Sequence, residues 1–180
     1  MKIYTSSGDD GSTGRLHGGR VAKDGTGPEA NGAVDEAVSA LGVARAIADG
    51  LFAEALLGVQ RDLFVVGADL ATDAENRPKL TDEVSRVTAA MVEALEPEID
   101  ELTDAVGRPA AFVVPGGSHL SAALDHARSV IRRAERRAIT HYRAIGVTDS
   151  QTVPYLNRLA DYLYMLARAA EGSWTPSREE

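Results

Sequence analysis

No cysteine occurs among the 180 residues, which removes disulfides, thiolate metal sites and cysteine nucleophiles together. No run approaches the 18 apolar residues that a membrane span requires. The opening Met-Lys-Ile-Tyr-Thr has neither an apolar h-region nor an arginine-rich presequence. Export and insertion are not signalled, and the expected location is the cytoplasm. Positive charge is in deficit, with 19 Lys and Arg against 27 Asp and Glu and a formal net charge of -8. That balance argues against general binding to nucleic acid or an anionic membrane. Internal repeats and low-complexity tracts are also missing. The four histidines, His17, His119, His126 and His141, have no metal-ligand spacing and read as surface residues, and no metal site is expected from protein ligands.

What is present is a globular composition, 44% hydrophobic and 26% charged, at the length of one ordinary domain. The first 27 residues are rich in glycine and hydroxyl side chains and read as a loop-rich arm. After Pro28 five helical patterns follow. They are Val34, Ala37, Leu41, Ala44 and Ala48; then Phe52, Leu56, Val59, Leu63, Val66 and Leu70; a third from about Thr81 to Val106; a fourth from about Ser118; and Leu156, Leu159, Leu163, Leu166 and Ala170. Their spacing averages about 3.5 residues, the seam of antiparallel helices. The expectation is an all-α, up-and-down bundle of about five helices over residues 28–172, with the arm at 1–27 and a tail at 173–180. Linkers are expected near 73–80, 106–117 and 146–152. Pro97 inside the third pattern predicts a kink or a break, since an interior proline costs about 3 kcal/mol.

Three segments carry chemistry. Residues 126–137, His-Ala-Arg-Ser-Val-Ile-Arg-Arg-Ala-Glu-Arg-Arg, concentrate five arginines in an otherwise acidic chain. Arg128, Arg132 and Glu135 share one helical face beside an apolar stripe of Leu120, Leu124, Ala127, Ile131, Ala134 and Ala138. Arginines bordering a buried stripe can fork onto phosphate oxygens, so this face fits a small anion; weak surface pairs with Glu135 are the alternative. The arm from Tyr4 to Gly14 places Gly8, Gly11 and Gly14 where backbone amides can approach a ligand. Thr5, Ser6, Ser7, Ser12 and Thr13 add hydroxyl donors, and Arg20 and Lys23 add charge. It is neither a Walker A motif nor a dinucleotide fingerprint. Phe112-Val113-Val114-Pro115-Gly116-Gly117-Ser118 is an apolar run braked by Pro-Gly-Gly and ending at a good N-cap. Its phenylalanine either fills a core or is held over a ligand, and the residues alone leave both open.

Taken in order, these segments resemble the PduO-type ATP:cob(I)alamin adenosyltransferases. The family patterns Tyr-Thr-x-x-Gly-Asp-x-Gly-x-Thr, Val-Asp-Glu, Phe-x-x-Pro-Gly-Gly, Arg-x-x-x-Arg-Arg-x-Glu-Arg and Tyr-Leu-Asn-Arg-Leu-x-Asp are met at 4–13, 34–36, 112–117, 128–136 and 155–161. The resemblance implies a homotrimer whose active site lies between subunits. There the 5'-deoxyadenosyl group of ATP passes to the cobalt of cob(I)alamin and triphosphate leaves. It implies that Thr5, Ser6, Ser7, Gly8, Thr13, Gly14 and Lys23 line the ATP site with Arg132, Arg133, Glu135, Arg136 and Asn157. Arg128 would pair with Asp35 across subunits, Phe112 would lie beneath the corrin, and Mg²⁺ would bridge phosphate oxygens. A reductase and an adenosylcobalamin-dependent acceptor enzyme are the partners it implies. The sequence departs from the family at Asp125, where most relatives have histidine, at Val38 in place of a common asparagine, and over Thr26-Gly27-Pro28 with Asn31. These departures fall on the corrin contacts. A cobalamin escort that turns over ATP poorly, and a helical scaffold whose arginines bind a protein, are the competing readings. The intact arm residues Gly8, Asp9, Thr13 and Lys23 favour the enzyme.

Overall fold

The computed structural model describes residues 2–178; Glu179 and Glu180, the end of the expected tail, lie outside the described residues. Two short strands, β1 (Ser12–Gly14) and β2 (Arg20–Ala22), are followed by α1 (Thr26–Ile47), α2 (Gly50–Leu70), α3 (Ala89–Val106), α4 (His119–Ile145) and α5 (Thr152–Ala169). The all-α bundle of five helices read from the periodicity is the fold. Among the described residues, no helix is long and apolar enough to cross a membrane.

The core follows the apolar stripes. Ala30, Ala33, Val34, Ala37, Leu41 and Ala44 of α1 are buried, as are Leu124, Ala127, Ile131, Ala134 and Ala138 of α4. Alanine on both faces lets these two helices approach closely, and theirs is the most extensive pairing in the bundle. α5 packs on the other side of α4, α2 lies against α1, and α3 sits outermost on α5, with Leu95 its one buried side chain. The helices alternate in direction, but α3 is therefore not beside α2, its predecessor in the chain. The connection 71–88 has to cross the end of the bundle.

Three local expectations are corrected. Residues 81–88 form a turn closed by an isolated Asp82–Arg86 bridge, and α3 starts only at Ala89, where the Thr88 hydroxyl accepts from the Met91 amide at 3.3 Å. The apolar spacing of Val84 and Val87 mimicked a helical turn, yet Val84 is exposed. Of the kink or break expected at Pro97, the break does not occur: α3 continues through the proline, which lies on its exposed side, so the carbonyl that loses its partner can be solvated. The arm, finally, is not wholly irregular. Ser12–Gly14 pairs antiparallel with Arg20–Ala22, Thr13 opposite Val21.

The crossing is pinned by one buried carboxylate. Asp69, at the end of α2 and wholly buried, accepts from Arg77 Nη1 (2.6 Å), the Tyr142 hydroxyl (2.8 Å), the Val87 amide (3.1 Å) and the Ser150 hydroxyl (3.4 Å). It thereby ties α2, the crossing, α4 and the α4–α5 link at one point. Burial and the neighbouring Asp69 charge push the Tyr142 phenol well above its usual range, so it remains a donor.

Candidate functional site

The arm is built by its own short-range bonds. Ser6 and Gly11 have positive φ (57° and 79°), folding the chain into a loop whose Gly11 carbonyl accepts from the Lys23 amide at 2.8 Å. Arg20 closes it from the side, donating to the Ser7 carbonyl (2.6 Å) and the Ser12 hydroxyl (2.8 Å). Hydrogen bonds from the Ser12 hydroxyl and amide, with Arg20 adjacent, hold the Asp10 carboxyl below its usual range. Thr5 and Ser7 share a hydrogen bond of 2.8 Å. Lys23 crosses directly over Gly8, where an added Cβ would lie 3.0 Å from Nζ. A side chain at position 8 would also crowd the Ser12 carbonyl, 3.1 Å away.

The arm is fastened to one end of the bundle. The Leu16 amide donates to the Ala71 carbonyl at 3.1 Å, and Arg15 pairs with Asp73. Where the arm becomes α1, Thr26 Oγ1 meets His141 Nδ1 at 3.1 Å and Gly27 packs against the imidazole. His141 is therefore not the surface residue expected from sequence. It is buried, and burial lowers its pKa, against a Leu70 backbone hydrogen bond that raises it. His17, His119 and His126 are exposed. Below the arm opens a cavity of about 580 Å³ lined by Thr13, Gly14, Asn31, Asp35, Val38 and Phe64, among others. Several positions singled out in the sequence thus share one wall, including the departures Asn31 and Val38.

Along α4 the five arginines divide. Arg133 pairs with Glu36 and Arg137 with Glu29 (3.2 Å), holding α4 to α1. The Arg133 guanidinium keeps the Glu36 carboxyl below its usual range. Arg128, Arg132 and Arg136 have no ion-pair partner among the described residues, nor has Asp35. Beside Arg132, Glu135 accepts from Asn157 Nδ2 of α5 at 3.2 Å, joining two candidate residues 22 positions apart. The surrounding Tyr-Leu-Asn-Arg-Leu motif separates by face: Tyr155, Leu156 and Leu159 are buried, and only Asn157 turns to the arginines. Tyr155 donates to Asp62 at 2.8 Å, and Arg158 reaches Glu96 (3.0 Å) and Asp161 (3.6 Å), so neither joins the site.

Phe112 lies at the other end of the bundle, in the loop between α3 and α4, and is 87% exposed. It fills no core. The loop is fixed instead by the tail: the Val114 amide donates to the Thr175 carbonyl (2.9 Å) and the Ser177 amide to the Phe112 carbonyl (2.7 Å). Arg128 lies about 14 Å along α4 from His119 at 1.5 Å per residue, between the two ends, its guanidinium 5.4 Å from the Tyr164 ring centre. Within one chain the two halves are far apart. From His119 to His141 α4 rises by roughly 30 Å at 1.5 Å per residue, with the arm at one end and Phe112 at the other.

Sequence reasoning missed a buried charge cluster under the Phe112 loop. Arg168, 1% exposed, donates to Asp125 at 2.5 Å and to Glu171 at 3.3 Å, and its guanidinium stacks on Tyr164 at 5.0 Å. In the sequence Asp125 stands out only as a departure from the family pattern. An arginine in the otherwise apolar run Tyr-Met-Leu-Ala-Arg-Ala was the available signal.

Residues 3–170 match the protein family described as Cobalamin adenosyltransferase. Similar curated proteins include a corrinoid adenosyltransferase of Mycobacterium tuberculosis (strain ATCC 25618 / H37Rv), 39% identical over 94% of this chain and 88% of its own length. One from Bacillus subtilis (strain 168) is 40% identical over 93% and 86%. Among solved structures, a variant PduO-type ATP:corrinoid adenosyltransferase from Lactobacillus reuteri, complexed with cobalamin and ATP, superposes with a TM-score of 0.86. It shares 32% identity over 94% of this chain and 91% of that one.

Proposed function

Because the chain belongs to the cobalamin adenosyltransferase family, we propose that it transfers the 5'-deoxyadenosyl group of ATP to cob(I)alamin. The electron pair of Co(I) attacks the ribose C5' carbon, a Co–C bond forms, the C5'–O bond breaks, and triphosphate departs with that bond's electrons. Cobalt is itself the nucleophile, so the protein needs no serine, cysteine or general base. Its task is to align C5' with cobalt and to stabilise the charge growing on the leaving oxygen.

The observation that carries this reading is the division of the site between two ends of one bundle. A pre-folded arm with an open cavity stands at one end and an exposed Phe112 at the other, with the unpaired Asp35 and Arg128 on the helices between them. One chain cannot bring both to a single pair of substrates, whereas a neighbouring copy can. Asp35 of one subunit then pairs with Arg128 of the next, in a homotrimer with three shared sites. Thr5, Ser6, Ser7, Gly8, Thr13, Gly14 and Lys23 hold the triphosphate with Arg132 and Arg136, while Glu135 and Asn157, already bonded to each other, orient the nucleoside. Arg133 joins them only by exchanging Glu36 for a phosphate. Covering the Phe112 ring with corrin is worth about 1.5–3 kcal/mol of apolar burial. In that position the ring also displaces the lower axial ligand, which makes Co(II) easier to reduce.

Mg²⁺ fits this site only through the nucleotide. The described residues contain no cluster of three His, Asp or Glu groups able to cage an ion, and the free oxygens are the phosphates' own. Of the arm carboxylates, Asp10 is already engaged by Ser12 and Arg20. Cytoplasmic location, an electron-donating reductase and an acceptor enzyme for the product complete the proposal. The deciding assay is the appearance of adenosylcobalamin absorbance from ATP and chemically reduced cobalamin. Cobalamin binding without ATP-dependent conversion would instead favour the escort.

A further inference from the structure

The Pro-Gly-Gly brake after Phe112 uses its two glycines differently. Gly116 has φ of 117°, a conformation that side chains resist. Gly117 has no such need. Its constraint is contact: a Cβ there would lie 3.1 Å from Cγ, Cδ and Oε1 of Glu171. The Glu171 carboxylate therefore fills the place of the missing side chain, and it also accepts from the Gly117 amide at 3.3 Å.

Glu171 is in turn held from below. Its side chain is 1% exposed, and Oε1 takes a hydrogen bond from Arg168 Nη2 (3.3 Å), whose other acceptor is Asp125 Oδ2 (2.5 Å). Two further bonds lock the same joint: the Ser118 hydroxyl to the Ala170 carbonyl and Trp174 Nε1 to the Arg168 carbonyl, both 3.2 Å. The cluster holds two carboxylates against one guanidinium in a dry place, with Glu171 Oε2 and Arg168 Nε left without partners. As a source of stability this is poor, because burying charge with unmet bonds forfeits solvation that the pairing does not return. Apolar side chains would fill the space more cheaply. What they would not supply is a directional stop for a backbone amide.

We propose that Glu171 is a positioning residue, clamped by Arg168 and Asp125, that sets the height of the Phe112 loop over the corrin. The loop is seated on the carboxylate at Gly117 and strapped by the tail at Phe112 and Val114, so the exposed ring is carried by two fixed points. The functional half of this inference rests on the role proposed for Phe112; the structural half does not.

The experiment compares Glu171→Ala, Glu171→Gln and Phe112→Ala in the full chain, each shown to be folded by circular dichroism. In Glu171→Ala, hydrogen exchange at the Val114 and Gly117 amides should rise at least about tenfold while α4 amides near Ala134 stay unchanged. Glu171→Gln keeps the shape and the acceptor for Gly117, and should stay within roughly threefold of wild type. Unchanged exchange in Glu171→Ala, or an equal rise in the glutamine variant, overturns the seat. Starting from cob(II)alamin and a mild reductant, Glu171→Ala should lose at least about tenfold more activity than it loses starting from cob(I)alamin. Equal losses, with Phe112→Ala still separating the two assays, overturn the functional half. If Phe112→Ala shows no separation either, the Phe112 role is what fails, and exchange alone decides the seat.

Discussion

Replacing Asp69 by alanine is the most direct test of how the bundle holds the arm. The side chain is wholly buried and accepts from four groups, and its removal leaves Arg77, 8% exposed, without a close counter-ion. The remaining candidate, Asp149, is exposed and 3.9 Å away. Breaking a buried pair from one side costs about 3–5 kcal/mol, and the orphaned Tyr142 hydroxyl and Val87 amide keep the loss at the upper end. For a chain of this size each kcal/mol moves Tm by about 2–4 °C, so the upper end of that loss corresponds to a fall of roughly 10–20 °C at fixed protein concentration. Circular dichroism melts measure it. The double variant Asp69→Leu with Arg77→Met should recover part of the loss, because no charge is then left buried alone. Asp69 also closes the end of α2 whose Ala71 carbonyl holds the arm, so KM for ATP should rise in the single variant before the helices melt. A loss below about 1 kcal/mol, or a double variant no better than the single, would refute the view that this carboxylate pins the crossing.

Arg132→Ala and Glu135→Ala should leave the helical spectrum intact yet cut turnover by about 10²-fold or more, since both flank the core, Arg132 facing the leaving group and Glu135 orienting the nucleoside; near-normal kinetics would return them to a solvated surface. Light scattering should give three times the 19.0 kDa chain, and Arg128→Ala should lower both that mass and the activity; a fully active monomer would sink the shared site. Phe112→Ala should lose far more activity from cob(II)alamin than from pre-reduced cob(I)alamin, and equal losses in a folded protein would reduce it to a general corrin contact. His141 has its folded pKa lowered by burial, so it favours the neutral form. Its contribution is complete above the ordinary value near 6.5 and is lost as pH falls below that toward the folded pKa. Stability should therefore decline with acidification in that window, and His141→Gln should flatten the slope; an unchanged slope would dismiss the histidine.

The helices themselves were legible because apolar spacing repeats every three or four residues over long stretches. The stripe through Leu124, Ala127, Ile131, Ala134 and Ala138 is buried as its spacing requires. Local chemistry also identified Ser118 as an N-cap, since its hydroxyl accepts from the Ser121 amide within one turn. The segment 81–88 reads as helix in the sequence because a short apolar repeat has the same spacing in a turn as in a helix. Periodicity says which face is buried and not what it is buried against, so only the tertiary structure placed α3 on α5 and required Asp69 to pin the crossing. The same limit applied to charge. Five arginines in one helix are equivalent by composition, and the partners on α1 decided that Arg133 and Arg137 are occupied while Arg128, Arg132 and Arg136 are open. Pro-Gly-Gly announced a rigid turn, but whether Phe112 points inward or outward depends on what supports the turn from below. That support is Glu171, 54 residues along the chain from Gly117, held by Arg168 and Asp125. A contact between residues so distant leaves no local periodic trace, because each of them meets its partners only once the helices have packed.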